Sequence, residues 1–255
     1  MTFSIITVTY NAANIIERTM DSVFQQTYSN VEYIVVDGNS NDITLSIVKK
    51  KKADSENKTG FVFKWISEPD NGIYDAMNKG LSLATGDYVC FLNAGDSFKN
   101  SSILDNLAEK LKSRDMPDII YGETDLVNSE NEKIAARRLK APRNLTWKSF
   151  RMGMLVCHQA FIVKRDIAPE YDLQYRFSSD FDWCIRCMKN AGAIVNSEIR
   201  MINYQYEGAT TANRKASLKE RYNIMCKYYG IIPTQTRHLW FAVRFYFAKV
   251  FKNNY

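Results

Sequence analysis

The sequence lacks any long hydrophobic run, which argues against a membrane-spanning helix. Although 45% of its 255 residues are hydrophobic, no stretch reaches the roughly 18 uninterrupted apolar residues that such a helix needs. The short apolar run Phe3–Val8 has no basic segment before it, so we expect no N-terminal signal peptide. A chain of this length can bury one full core. We therefore predict one main domain over residues 1–230 and a tail over residues 231–255.

Cysteine is scarce and odd in number, which argues against a disulfide framework. The five cysteines mostly lie among apolar residues, so we expect reduced core residues of a cytosolic protein. Cys184 and Cys187 are spaced as a Cys-x-x-Cys pair, but they lie in a helical pattern without a second ligand pair. A metal site there is not favoured. The five are Cys90, Cys157, Cys184, Cys187 and Cys226.

Acidic residues are absent from the C-terminal end. From Arg221 onward the chain has six Lys or Arg and no Asp or Glu, which accounts for the whole net charge of +6. A neutral body argues against nucleic-acid binding, and a basic tail suits an anionic surface. Residues 237–252 mix basic and aromatic side chains, as an interfacial membrane helix does. A helix packed on the domain, or on a second subunit in a homodimer, would show the same pattern.

A glycine-rich phosphate loop is also missing, since neither Gly-x-Gly-x-x-Gly nor a P-loop occurs. The chain instead alternates strand and helix patterns with short links, which is typical of βαβ units. We predict an α/β fold with a mostly parallel, Rossmann-like sheet flanked by helices and followed by a C-terminal helical tail. The first four strands are predicted at residues 4–9, 31–36, 61–66 and 88–92.

The stretch Gly86–Ser97 organises the rest of the chain. Its apolar run Tyr88–Leu92 is typical of a buried strand, and Asn93-Ala94-Gly95-Asp96 follows where that strand ends. Because ligands bind outside the carboxyl ends of parallel strands, Asp96 is placed to hold a divalent cation against phosphates. The alternative is a simple turn, which the same residue types favour. Loops after the earlier strands bring further polar residues to this edge, namely Tyr10, Asp37 and Asp70.

Four motifs follow one another over residues 4–96. They are Ser4–Asn11, Val35–Asp42, Glu68–Gly80 and Phe91–Asp96. Together they resemble the large second family of inverting nucleotide-sugar glycosyltransferases, which have the GT-A fold, and the third resembles the branch that builds bacterial exopolysaccharides such as colanic acid. The resemblance continues more loosely through His158-Gln159, Ser179–Asp182 and Gly208–Thr210, and it does not cover the tail from about residue 234.

The resemblance implies that Tyr10 and Asp37 hold the base and ribose of a nucleoside diphosphate sugar, with a UDP-sugar expected. An aromatic ring can stack on a base, and a carboxylate can accept its N–H or ribose hydroxyl hydrogens. Asp37 could instead stabilise a turn or cap a helix. Many relatives carry a second acid where this chain has Gly38. Four further residues are expected to contact the donor, although His158 also suits a buried core position. They are Asp70, Asn78, Asn93 and His158.

Two acids carry the implied chemistry. Asp96 matches the last acid of the family's Asp-x-Asp metal signature, whose earlier acidic positions are Asn93 and Gly95 here. One carboxylate with the diphosphate and waters can still hold Mn²⁺ or Mg²⁺, which stabilises the leaving group. Asp180 matches the general base that takes the acceptor hydroxyl proton. The alternatives are that Asp182 is the base, or that Asp180 only caps a helix.

Residues 1–98 would then form the nucleotide-binding half of the domain and residues 99–230 the acceptor-binding half. We expect transfer to a glycan or lipid-linked acceptor in cell-surface polysaccharide biosynthesis, in the cytoplasm or at the inner face of the plasma membrane. One rival is a sugar nucleotidyltransferase, which would need a glycine-rich loop where Tyr10–Ala13 stands. Another is a nucleotide-sugar-binding scaffold whose metal site has decayed, as Asn93 and Gly95 would suggest.

Overall fold

The computed structural model describes residues 1–55, 59–206 and 214–252, and within them nine strands form one sheet flanked by helices. The strands are β1 Phe3–Thr9, β2 Val31–Asp37, β3 Phe61–Ser67, β4 Tyr88–Phe91, β5 Ser97–Phe98, β6 Ile119–Val127, β7 Lys133–Ala136, β8 Phe161–Lys164 and β9 Ile194–Gln205. The α-helices are α1 Ile16–Phe24, α2 Thr44–Ser55, α3 Ile73–Leu83, α4 Ile103–Ser113, α5 Ser179–Asn190, α6 Arg214–Tyr229 and α7 Ile231–Lys252. Short 3₁₀ helices lie at Trp147–Met152, His158–Ala160 and Arg165–Ile167.

The first four strands are parallel and stand in the order β3-β2-β1-β4. Every residue of β1 and β2 is buried, because helices cover both faces of this part of the sheet. Ile6 packs into the core on one face, while Ile5 packs into the core on the other. The α/β fold with flanking helices and C-terminal helices is confirmed. The carboxyl ends of these four strands share one edge of the sheet.

The second half of the chain extends the sheet in mixed directions. β8 runs antiparallel to both β4 and β6, and β9 runs parallel to β6 as far as the pair Val127↔Gln205. Two reversals restore the direction of β4, so β9 ends at the same edge as β1 to β4. Gln205 is thereby brought beside the loop that follows β4. The loosely matched stretch Gly208–Thr210 lies outside the described residues.

The sequence predicts a strand at Ile119–Tyr121 only, whereas β6 of the structure is longer. The strand continues to Val127 through the fully buried carboxylate of Asp125. Lys99, Lys133 and Arg200 donate to this carboxylate at 2.7, 3.0 and 2.6 Å and hold its pKa down at about 2. Cations from other segments thus allow an acid inside a strand. The sequence pattern around position 125 does not reveal them.

All five thiols are free, and four of them are buried. In the part of the chain that the structure describes, no helix is both long and apolar enough to traverse a bilayer.

Candidate active site

A cleft of about 530 Å³ opens where β1, β4 and β9 end. Four of the predicted site residues line it, together with Thr9, Gln159 and the last two residues of β9. Gly72 and Ile73 at the start of α3 form part of its wall. The four predicted residues that share the cleft are Tyr10, Asp70, Asn93 and Asp96.

Asp96 lies at the base of this cleft and is 4% exposed. Its Oδ2 atom accepts a hydrogen bond from Gln159 Nε2 at 2.8 Å, and its Oδ1 atom accepts one from the backbone N–H of Gln205 at 3.0 Å. Burial raises the pKa of this carboxyl to about 7, against the opposing effects of the two hydrogen bonds and the Arg18 charge. The carboxylate is therefore poorly compensated by the protein alone, which favours a cation beside it.

Arg18 and Gln205 shape the loop that carries Asp96. Arg18 Nη2 donates to the carbonyl oxygen of Gly95 and to Gln205 Oε1, both at 2.5 Å. Gly95 has φ +99°, and a Cβ atom there would lie 2.7 Å from Gln205 Oε1. A side chain at position 95 would be strained in this left-handed conformation and would have to displace Gln205 Oε1. The sequence interpretation did not assign Arg18 or Gln205, and it named Gln159 only together with His158. All three residues reach the loop from distant elements.

The chemistry of the cleft suits a divalent cation held jointly with a ligand. Among the described residues, no group of three or more His, Cys, Asp or Glu is arranged to hold a metal ion. Asn93 Oδ1 and Thr9 Oγ1 are buried and have no hydrogen-bond partner. One carboxylate and an unpartnered amide oxygen fit Mg²⁺ or Mn²⁺, provided that phosphate oxygens and waters complete the coordination. Asp96 and Asn93 are the residues that would hold it.

Tyr10 and Asp70 form the other end of the cleft. The Tyr10 side chain is 60% exposed. A Cβ atom added at Gly38 would collide with Asp70 Oδ2 and would lie 3.4 Å from Tyr10 Cδ2. Asp70 Oδ1 accepts the backbone N–H of Gly72 at 2.8 Å, which fixes the carboxylate. An open aromatic ring and a carboxylate thus lie side by side above a residue that has no side chain.

Asp37 lies beneath this end of the cleft and is fully buried. Its Oδ2 atom accepts hydrogen bonds from Ser67 Oγ at 2.7 Å and from the backbone N–H of Ser40 at 3.0 Å. Its Oδ1 atom accepts the Ser40 hydroxyl at 2.5 Å. Asp37 therefore stabilises the turn after β2, which is one of the two interpretations that the sequence allows. A nucleotide contact by this residue stays a prediction.

Asp180 and Asp182 have very different surroundings. Asp180 lies in the first turn of α5, is partly exposed, and accepts the Tyr74 hydroxyl on Oδ1 at 3.0 Å. Its Oδ2 atom has no hydrogen-bond partner in residues 1–55, 59–206 and 214–252. Asp182 is fully buried. Three groups hold it against α5 and α6, namely Arg186 Nε at 2.5 Å, the Tyr228 hydroxyl at 2.8 Å and Lys227 Nζ at 3.3 Å.

His158 and Asn78 both hold Tyr171. His158 Nε2 lies 2.7 Å from the Tyr171 hydroxyl, and burial lowers the pKa of this histidine to about 4, so it is neutral at pH 7. Asn78 makes two hydrogen bonds to the backbone of Tyr171, at 2.7 and 3.0 Å. Tyr171 stacks on Tyr74, which in turn donates to Asp180. Both residues therefore support the group that positions Asp180, and direct donor contacts by them stay predictions.

Comparisons with known proteins agree with this arrangement. The model of Glycosyl transferase family 2 matches residues 4–171. A PGL/p-HBAD biosynthesis glycosyltransferase of Mycobacterium bovis is 33% identical over 200 residues, which are 75% of this chain and 72% of the relative. The amylovoran biosynthesis glycosyltransferase AmsB of Erwinia amylovora is 29% identical over 80% of this chain and 69% of its own length.

The fold is shared with solved structures at lower identity. S. aureus TarS 1-349 in complex with UDP-GlcNAc matches with a TM-score of 0.68 at 21% identity. The match covers 88% of this chain and 64% of that one, so the chain spans less than two thirds of the solved protein. This likeness establishes a common architecture.

Proposed function

The chain belongs to glycosyltransferase family 2, and we propose that it transfers a sugar with inversion from a UDP-sugar to a hydroxyl of a glycan or lipid-linked acceptor. The single observation that carries the proposal is the cleft that places the exposed ring of Tyr10 and the buried carboxylate of Asp96 at one sheet edge. The UDP-GlcNAc bound to TarS supports the donor class. The amylovoran biosynthesis named for AmsB supports a role in polysaccharide biosynthesis. We place the acceptor at the cytoplasmic face of the membrane as part of the proposal.

We assign the nucleotide to the end of the cleft formed by Tyr10 and Asp70. The Tyr10 ring would stack on the base. The Asp70 carboxylate would accept a base N–H or a ribose hydroxyl hydrogen. The diphosphate would then extend towards Asp96 and Asn93. When bound there, Mn²⁺ or Mg²⁺ neutralises the negative charge that grows on the departing diphosphate.

Asp180 is the proposed general base. Its free Oδ2 atom would take the proton of the acceptor hydroxyl while that oxygen attacks the anomeric carbon. The new glycosidic bond forms as the bond between the anomeric carbon and the diphosphate oxygen breaks, and UDP leaves on the opposite face. The Tyr74 hydroxyl holds Oδ1 and so orients the carboxylate. A positioned base of this kind contributes roughly 10²- to 10⁴-fold to a rate.

The test compares Asp180→Asn with Asp182→Asn. We expect Asp180→Asn to lower kcat by about 10²- to 10⁴-fold while calorimetry gives an unchanged Kd for UDP with Mn²⁺. Asp182→Asn is the matched control, because it removes an equal charge two residues away. It should lower the free energy of unfolding while retaining turnover in the folded fraction. Full turnover by Asp180→Asn would refute its role as base, and a protein that binds no nucleotide would refute the donor class.

A further inference from the structure

A second acid-free segment lies next to the basic tail. Residues 133–151 contain seven Lys or Arg and no Asp or Glu, and residues 221–255 contain six and none. The other residues hold 21 basic and 28 acidic side chains, a net charge of −7. The body of the chain is therefore neutral only as a whole, because the positive segment 133–151 balances the negative charge of the other residues.

The two acid-free segments pack against each other. Trp147 stacks on Tyr229 with ring centroids 5.6 Å apart, and the Tyr229 hydroxyl donates to the Trp147 carbonyl oxygen at 2.6 Å. Arg151 lies over the Tyr229 ring at 5.3 Å. Arg237 Nη1 lies 3.1 Å from Met152 Sδ. Cations that are distant in sequence thus share one side of the molecule.

Apolar side chains are exposed on the same side. Ile231, Ile232, Leu239 and Trp240 of α7 are 61%, 74%, 68% and 58% exposed, and Met152 is 38% exposed. Eight residues turn an α-helix by about 80°, so the two pairs together lie within about half of the helix circumference.

The opposite side of α7 meets the protein. Thr234 is fully buried, and the ring of His238 contacts Tyr222 of α6. The helix is therefore packed on one side and presents an apolar stripe on the other.

We propose that this basic–apolar face docks on an anionic lipid bilayer. We define the face by the cations that these contacts place beside α7 and by the exposed apolar side chains, namely Lys148, Arg151, Arg237, Met152, Ile231, Ile232, Leu239 and Trp240. The three cations form no ion pair among the described residues, so they are available to lipid phosphates. Two copies of the chain would bring two positive surfaces together, whereas an anionic bilayer has the opposite charge. The apolar stripe would enter the boundary between headgroups and acyl chains.

The experiment measures flotation of the full chain with vesicles of phosphatidylcholine, with and without phosphatidylglycerol. We expect binding only to the anionic vesicles, with loss at high salt because screening weakens the attraction. The triple variant K148Q/R151Q/R237Q should bind about 100-fold more weakly, at about fivefold for each cation near the surface. The variant L239Q/W240Q should also lose binding, because it removes inserted apolar area.

The matched control K50Q/K112Q/R114Q removes three exposed cations, one from α2, one from α4 and one directly after α4, and should bind like the parent. Equal loss in this control would overturn the proposal, because net charge alone would then explain binding. Equal flotation with neutral vesicles would also overturn it. So would a dimer that L239Q/W240Q dissociates without any change in vesicle binding, because the stripe would then belong to a second copy. UDP binding by calorimetry confirms that each variant is folded, and it tests the donor site separately.

Discussion

Gly38 and Asp70 lie next to each other on two different loops. Substitutions at these two positions can therefore move a carboxylate from one loop to the other. Asp70 Oδ2 occupies the space that a side chain at position 38 would need. Asp70 thus stands where an acid at position 38, common in the family, would project. We predict that Asp70 is the carboxylate that contacts the nucleotide base in this chain, and that an aspartate at position 38 can replace it.

The expected magnitude follows from the hydrogen bond at stake. A hydrogen bond to a charged group contributes about 1.5–3 kcal/mol, so Asp70→Ala should raise the Kd for UDP by about 10- to 150-fold. Gly38→Asp alone should also weaken binding, because the new side chain collides with Asp70. The φ of Gly38 lies outside the left-handed region. Position 38 therefore accepts a side chain once Asp70 is truncated, and Gly38→Asp combined with Asp70→Ala should recover most of the affinity.

Calorimetric titration with UDP and Mn²⁺ measures all three variants. Glu68→Ala is the control, because this acid lies on the same loop, is half exposed and pairs with Lys79 at 2.9 Å. It should change the Kd by no more than about twofold, as expected for a surface ion pair. The proposed contact between Asp70 and the nucleotide is refuted if Asp70→Ala binds UDP as tightly as the parent. The exchange of roles between positions 38 and 70 is refuted if Gly38→Asp and Asp70→Ala weaken UDP binding additively, since additivity would mean that the two positions act independently.

Two further predictions concern the loop at the base of the cleft. Gly95→Asp, which restores an acid of the family's metal signature, should weaken Mn²⁺-dependent UDP binding because its Cβ would press on Gln205 Oε1 at 2.7 Å; tighter binding by calorimetry would contradict this. Without metal, Asp96 should lower the free energy of unfolding as pH rises from about 4 to about 7, whereas the buried His158, with a pKa of about 4, should raise it up to about pH 6.5. The Asp96 carboxyl, with a pKa of about 7 against 3.8 ordinarily, holds a proton in the folded state that the unfolded chain has lost. Urea denaturation of the parent and of Asp96→Asn across this range isolates the Asp96 contribution, because the stability of the parent relative to the variant should fall as pH rises.

The parallel half of the sheet could be predicted because its signals are local. β1 and β2 are apolar runs buried on both faces, and each ends at turn-forming polar residues. Tyr10, Asp70 and Asp96 could be brought together from this alone, since parallel strands end at one edge. The family that these motifs resemble is confirmed by the match over residues 4–171. The division at residue 98 into nucleotide and acceptor halves stays a prediction.

The partners of these residues could not be predicted, because they come from distant parts of the chain. Gln205 lies 109 residues from Asp96, and its position depends on the register of β9 against β6. The burial of Asp182 depends on α6 folding back onto α5. The sequence interpretation also missed a second acid-free segment, which the sequence alone could have revealed. Counting acids along the chain reveals the acid-free segment 133–151, although its contact with the tail requires the structure.

We predict that the cleft binds a cation although positions 93 and 95 lack acids. Gly95 is favoured by its left-handed backbone conformation and by the position of Gln205, so the glycine at this position has a structural reason. Asp96 remains buried although burial raises its pKa to about 7, and its two hydrogen-bond donors are both uncharged. A purely structural position would be filled more cheaply by a neutral residue. Two unpartnered oxygens, Asn93 Oδ1 and Thr9 Oγ1, share the cleft. Burying these groups costs folding free energy, which favours a cleft that binds a cation together with the nucleoside diphosphate sugar.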